Sequence, residues 1–186
     1  MWPKTGTQTM WTVLKNFGFV SDKLENFQRT NQFSDGYSHD CALFKGHEEY
    51  KLLIAVRNPY TRFFSLYSYM MKLSKKNISK EGFQSFLDIH LDNLHSYYCT
   101  DFTVRKPDYF VRQEFMFEDY CKIPFINESD LYFSGKLREI CNLKMNETAE
   151  VSNWKIYFDE KIADRIYYKH IDYFSYFNYD RNSWKA

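Results

Sequence analysis

With 186 residues, 44% of them hydrophobic and 20% aromatic, the chain is long enough to bury one sizeable core and cramped for two. Its 25 basic and 24 acidic side chains leave a net charge of +1, which excludes a global field that would draw nucleic acid or an anionic membrane as main partner; any anion site must be local. There is no apolar run of about 20 residues and no basic-then-apolar leader, so the expectation is a single soluble, cytoplasmic domain over residues 1–186.

The chain opens with the loop Pro3-Lys4-Thr5-Gly6-Thr7-Gln8-Thr9. Behind it Met10, Val13, Leu14 and Phe17 recur at helical spacing, with Gly18 as a stop, so the loop feeds a helix N-terminus. Unsatisfied N–H groups and the positive end of the helix dipole favour a phosphate or sulfate there. Gly6 permits close approach of the backbone, the threonines add hydroxyl donors and Lys4 adds a charge. An ordinary N-capping turn with a surface lysine has the same composition. A nucleoside-triphosphate loop would need GxxxxGK followed by Ser or Thr, whereas here the lysine precedes the glycine.

Further along, residues 52–56 are continuously apolar, as in a parallel strand covered on both faces, and Arg57 stands at the carboxyl end, where open α/β sheets bind ligands. Asn58 and Pro59 turn the chain into a predicted helix from about Tyr60 to Lys72. Ser65 lies on that helix, and an arginine fork with a hydroxyl makes a phosphate clamp. Arg62 is read as a surface or structural ion-pair residue. The polar stretch 72–82 is expected to be an exposed loop or helix end. Cys41, Cys99, Cys121 and Cys141 show no metal-ligand spacing and read as reduced core thiols. Sequons at Asn77, Asn127 and Asn146 bear only on a chain that enters a secretory compartment.

Together the loop at residues 3–9 and the run Arg57-Asn58-Pro59-Tyr60-Thr61-Arg62-Phe63-Phe64-Ser65 resemble the sulfotransferases that use 3′-phosphoadenosine 5′-phosphosulfate (PAPS), the carbohydrate-type branch in particular. Residues 109–123, "YFVRQEFMFEDYCKI", look like that family's strand followed by an acidic helix start. Residues 142–179 look like its cofactor-covering loop, a helix and an aromatic tail. The chain departs from the pattern at Gln8, where the family often has Thr or Ser. It also departs before Pro3, which only Met1 and Trp2 precede where the family has a buried strand.

The resemblance implies an α/β, three-layer P-loop-like domain whose short central parallel sheet is flanked by helices. It implies PAPS as cofactor, PAP (3′-phosphoadenosine 5′-phosphate) as product and no metal, with a hydroxyl acceptor such as a sugar or small molecule. Lys4, Thr5, Gly6, Thr7, Gln8 and Thr9 would grip the 5′-phosphosulfate, with Lys4 neutralising the bridging oxygen, while Arg57 and Ser65 grip the 3′-phosphate. Lys144 and Trp154 fall in the covering loop, Lys144 as a ligand contact and Trp154 either on adenine or in packing. Histidine titrates near neutral pH and suits the general base. His39, beside Asp40 and upstream of the Arg57 strand, is the choice, with His47 and His95 as alternatives; His90 and His170 read as ordinary helix residues. Two rival readings are a P-loop small-molecule kinase and a PAP- or PAPS-binding module without turnover.

Overall fold

A computed structural model describes residues 7–17, 51, 53–91, 106–143 and 153–185. Helix α1 spans Thr7–Asn16 and strand β1 Leu53–Val56, followed by α2 (Pro59–Leu73) and α3 (Lys80–His90). Strand β2 (Tyr109–Arg112) leads through a 3-10 turn at Gln113–Phe115 into α4 (Met116–Tyr120). The short helices α5 (Pro124–Asn127), α6 (Asp130–Phe133) and α7 (Lys136–Asn142) come next. A 3-10 turn at Trp154–Tyr157 then precedes α8 (Glu160–Lys169) and α9 (Ile171–Tyr176).

The fold is mixed α/β and mostly helical, with β1 and β2 paired in parallel so that Leu53 faces Tyr109 and Val56 faces Arg112. The strand expected at residues 52–56 is present as Leu53–Val56, but it is not covered on both faces. Leu53, Ile54 and Ala55 are half-buried and only Val56 is buried, because the sheet among the described residues has two strands and β1 is not central in it. Among the described residues, no helix is long and apolar enough to cross a membrane.

The described residues divide into two compact units, one from within Met1–Val56 and Tyr98–Met145, the other from within Arg57–Tyr97 and Asn146–Ala186. In the first, Val13 of α1 and Val111 of β2 share a core with Met116, Tyr120, Ile126 and Leu137. The short helices hold because each has a local start or stop. Pro124 opens α5, the Ser129 hydroxyl caps α6 by accepting from the Tyr132 N–H, and Gly135 takes the left-handed φ of 74° that admits the chain to α7.

The second unit has an aromatic core. Tyr60 meets Phe158 and Phe174 at ring distances of 5.8 and 5.1 Å, and Phe64 meets Phe83 edge-on at 5.5 Å. Such ring pairs add about 0.5–1.5 kcal/mol each beyond the area they bury. Helix α9 ends in a paired-carbonyl cap: Asn178 adopts a left-handed φ of 56°, its N–H donates to the Ser175 carbonyl, and the Tyr179 N–H reaches back to Phe174 at 2.9 Å.

Candidate functional site

The best-defined part of the site is the turn between β1 and α2. The apolar run ends at Val56, and Asn58 then caps α2, its side-chain oxygen accepting from the Tyr60 N–H at 2.9 Å. Pro59 occupies the first helical position, where its missing N–H costs nothing, and so the helix starts one residue ahead of the predicted Tyr60. Arg57 is half-buried, and its Nε donates to the Thr61 hydroxyl at 2.9 Å. The same hydroxyl donates to the Asn58 carbonyl at 3.1 Å, locking the side chain over the first turn of α2. Ser65 lies one turn beyond Thr61 on the same helix and is 3% exposed, so an anion that reaches its hydroxyl enters the interior of the unit.

The C-terminal segment completes this turn. The Tyr173 hydroxyl accepts from the Arg57 N–H at 3.4 Å and donates to the Arg57 carbonyl at 3.3 Å. The Asn58 amide donates to the Ser183 hydroxyl at 2.7 Å, and the Tyr60 phenol donates to the Arg181 carbonyl at 2.7 Å. Burial first, and the Asp164 carboxylate second, raise the Tyr60 phenol above its usual pKa and keep it a donor. Thr61 was legible as the hydroxyl four residues after Arg57, but the partners at residues 173, 181 and 183 were not.

Lys4, Thr5 and Gly6 lie outside the described residues, as do His39, His47, His95 and Lys144. Thr7, Gln8 and Thr9, expected in the loop, are the first residues of α1, so the change from loop to helix falls at Thr7, ahead of the expected Met10. Thr9 is 6% exposed and shares its helix face with the buried Val13, four residues on. Arg62, read as an ion-pair residue with a surface role among its options, is not at the surface: it is 4% exposed on α2.

Trp154 packs edge-on against Phe158 at 5.1 Å, in keeping with the packing alternative. His90 stacks near Phe86 at 4.6 Å within α3. His170 is buried where α8 meets α9, 5.2 Å from the Phe63 ring.

The first unit holds an ion pair that the sequence reading missed. Asp119 is 3% exposed and accepts from Arg112 Nε and Nη2, both at 2.8 Å, from the Arg112 N–H at 3.0 Å and from Lys122 Nζ at 2.8 Å. Burial favours the protonated acid, but the Arg112 and Lys122 hydrogen bonds outweigh it and hold the carboxyl below its usual pKa. This ties the end of β2 to α4. Cys121 and Cys141 are free and half-buried, while Cys41 and Cys99 lie outside the described residues. Burial pushes the Cys141 thiol up to about 12 and the Cys121 thiol in the same direction, so neither is an activated nucleophile.

Among the described residues, no three His, Cys, Asp or Glu side chains are grouped to hold a metal ion. Comparison of the chain with protein-family models, with curated proteins and with solved structures gives no match.

Proposed function

We propose that the protein is a PAPS-dependent sulfotransferase that moves a sulfuryl group to a hydroxyl acceptor, a carbohydrate or small molecule. The observation that carries this reading is the turn at residues 57–65, where an arginine leaves the end of a parallel strand, is pinned by Thr61 at 2.9 Å and is followed by Ser65 on the same helix. A guanidinium with a fixed Nε presents a planar fork suited to phosphate oxygens, and a doubly charged 3′-phosphate matches it better than a single neutral group would. The start of α1 at Thr7 supports the second half of the reading, because the Pro3–Thr9 stretch then runs into a helix N-terminus. On the same reading, β1 and β2 belong to the central sheet of a three-layer P-loop-like domain.

Sulfuryl transfer is an in-line displacement whose catalysis is mostly positioning and charge neutralisation. Arg57 and Ser65 bind and orient the 3′-phosphate, and residues 5–9 bind the 5′ end. Lys4 stabilises the charge that develops on the leaving oxygen. His39 accepts the proton of the acceptor hydroxyl as the new S–O bond forms.

The test is a calorimetric titration with PAP, run beside AMP, ADP and ATP with magnesium, followed by turnover of PAPS against an acceptor panel. The reading requires PAP to bind at least tenfold tighter than AMP, with Lys4→Ala and His39→Ala lowering turnover. Preference for ATP with magnesium would move the protein to the kinase class. PAP binding without any turnover would leave a binding module.

A further inference from the structure

The Arg57 turn is held from outside its own helix. Four polar contacts join residues 57–60 to the segment at residues 173–183, across more than a hundred residues of chain. The Tyr173 hydroxyl answers both backbone groups of Arg57, which fixes the peptide planes on either side of that residue. The Ser183 hydroxyl accepts from the Asn58 amide at 2.7 Å and donates to the Asp180 carbonyl at 2.6 Å, so the orientation of Asn58 depends on the tail. Asn58 in turn supplies the cap of α2 through its side chain and the acceptor for the Thr61 hydroxyl through its carbonyl. Thr61 then holds Arg57 Nε at 2.9 Å. The route from the tail to the guanidinium is therefore continuous: Ser183 to Asn58, Asn58 to Thr61, Thr61 to Arg57, with Tyr173 setting the Arg57 backbone directly.

We propose that Tyr173 and Ser183 are positioning residues for the Arg57 anion site, and that the C-terminal segment is a clasp that sets the direction of the Arg57 fork. The ligand side of this inference rests on the reading of Arg57 as a clamp for the 3′-phosphate. A fork held in one direction meets a phosphate without first losing side-chain freedom, whereas a fork released from the tail must be ordered by the ligand. The Tyr173 ring also packs 4.5 Å from Phe177, so Tyr173→Phe removes the hydroxyl while keeping the ring and its neighbours.

The experiment uses the full chain with Tyr173→Phe, Ser183→Ala, their combination, and Ser183→Thr as the conservative replacement that restores a hydroxyl. One readout needs no ligand: 15N relaxation of the Arg57 Nε–H, which reports the order of the guanidinium on the ps–ns scale. The other is the PAP titration, with KM and kcat measured where PAPS turns over. The inference expects the Arg57 Nε–H to lose order in the double variant and PAP affinity to fall about tenfold, the scale of one or two modest hydrogen bonds. KM for PAPS should rise with kcat little changed, and Ser183→Thr should recover wild-type values.

If wild type binds PAP and the variants bind it equally well, the clasp has no positioning role and the inference falls, while the clamp reading stands. If wild type does not bind PAP, the clamp reading falls, and the relaxation data alone decide the positioning claim. Unchanged Arg57 order in the double variant overturns it, and lost order sustains it.

Discussion

Asp119 and Tyr120 are neighbours in sequence and opposites in how their polar atoms are served. Asp119 takes hydrogen bonds from Arg112 and Lys122 in a nearly water-free position, whereas the Tyr120 hydroxyl is buried with no hydrogen-bond partner among the described residues. The two therefore respond to mutation with opposite sign. Asp119→Asn leaves the Arg112 guanidinium facing an amide that matches it poorly, and it should cost about 3 kcal/mol in urea unfolding at pH 7, at the low end for breaking a buried pair because Arg112 keeps 14% exposure. The pH dependence follows from the lowered carboxyl pKa. The charged form is favoured by folding, so its contribution is full above the unfolded value of about 3.9 and is lost as pH falls through the lower folded value. The gap between wild type and Asp119→Asn should thus shrink only below about pH 4, and a gap that closed between pH 7 and 5 would contradict the ion pair. Tyr120→Phe, by contrast, removes an unsatisfied buried hydroxyl and should raise stability by about 1 kcal/mol, or about 2–4 °C in Tm by calorimetry. A lowered Tm would reveal a partner for that hydroxyl.

At the scale of elements, the start of α3 repeats the device seen at Arg57. The Tyr67 hydroxyl of α2 accepts from the Ser79 N–H and donates to the Ser79 carbonyl, both at 3.1 Å, while the Ser79 hydroxyl caps α3 at the Gly82 N–H. A Cβ at Gly82 would run into the Tyr67 hydroxyl, and Tyr67 is buried and has no room to retreat. Gly82→Ala should therefore destabilise by about 1 kcal/mol or more, although alanine in a helix normally gains about that much over glycine. In a Tyr67→Phe background the hydroxyl clash is gone and only the Ser79 hydroxyl, 3.0 Å from the added Cβ, still crowds it, so the same substitution should cost markedly less, a coupling that a double-mutant cycle reads directly. Elements with a marker in their own sequence were legible. The apolar Leu53–Val56 and the Asn58-Pro59 cap announced β1 and α2, whereas β2 and α4 were expected only through the resemblance at residues 109–123. The one-turn helices α5 and α6 carry too few residues to show a period, so nothing in the pattern distinguished them from loops. For Arg62 the sequence leaves a surface and a structural ion pair open, and burial on α2 removes the surface alternative alone.

At the scale of the whole molecule, the chain passes from one unit to the other at three places, and the one between Val56 and Arg57 falls inside a run without glycine or linker-like composition, so the sequence carries no mark of that crossing. The reach of the tail to the Arg57 turn was equally hidden, because Tyr173 sits among so many aromatics that packing accounted for it. What composition did constrain is the reach of electrostatics: with a net charge of +1, nucleotide recognition on the proposed reading depends on local contacts and not on a steering field. Linkage turns that into a measurement on the whole chain. PAP at a hundred times its Kd should stabilise the folded protein by about 2.7 kcal/mol, a rise in Tm of about 5–10 °C for a chain of this size. AMP at the same concentration, lacking the 3′-phosphate, should shift Tm far less. Arg57→Ala should abolish most of the PAP shift while leaving the ligand-free Tm within a few degrees of wild type, since the Tyr173 hydroxyl still holds the backbone N–H and carbonyl of residue 57. A full PAP shift retained in Arg57→Ala would place the 3′-phosphate elsewhere, even if the protein proved to be a sulfotransferase.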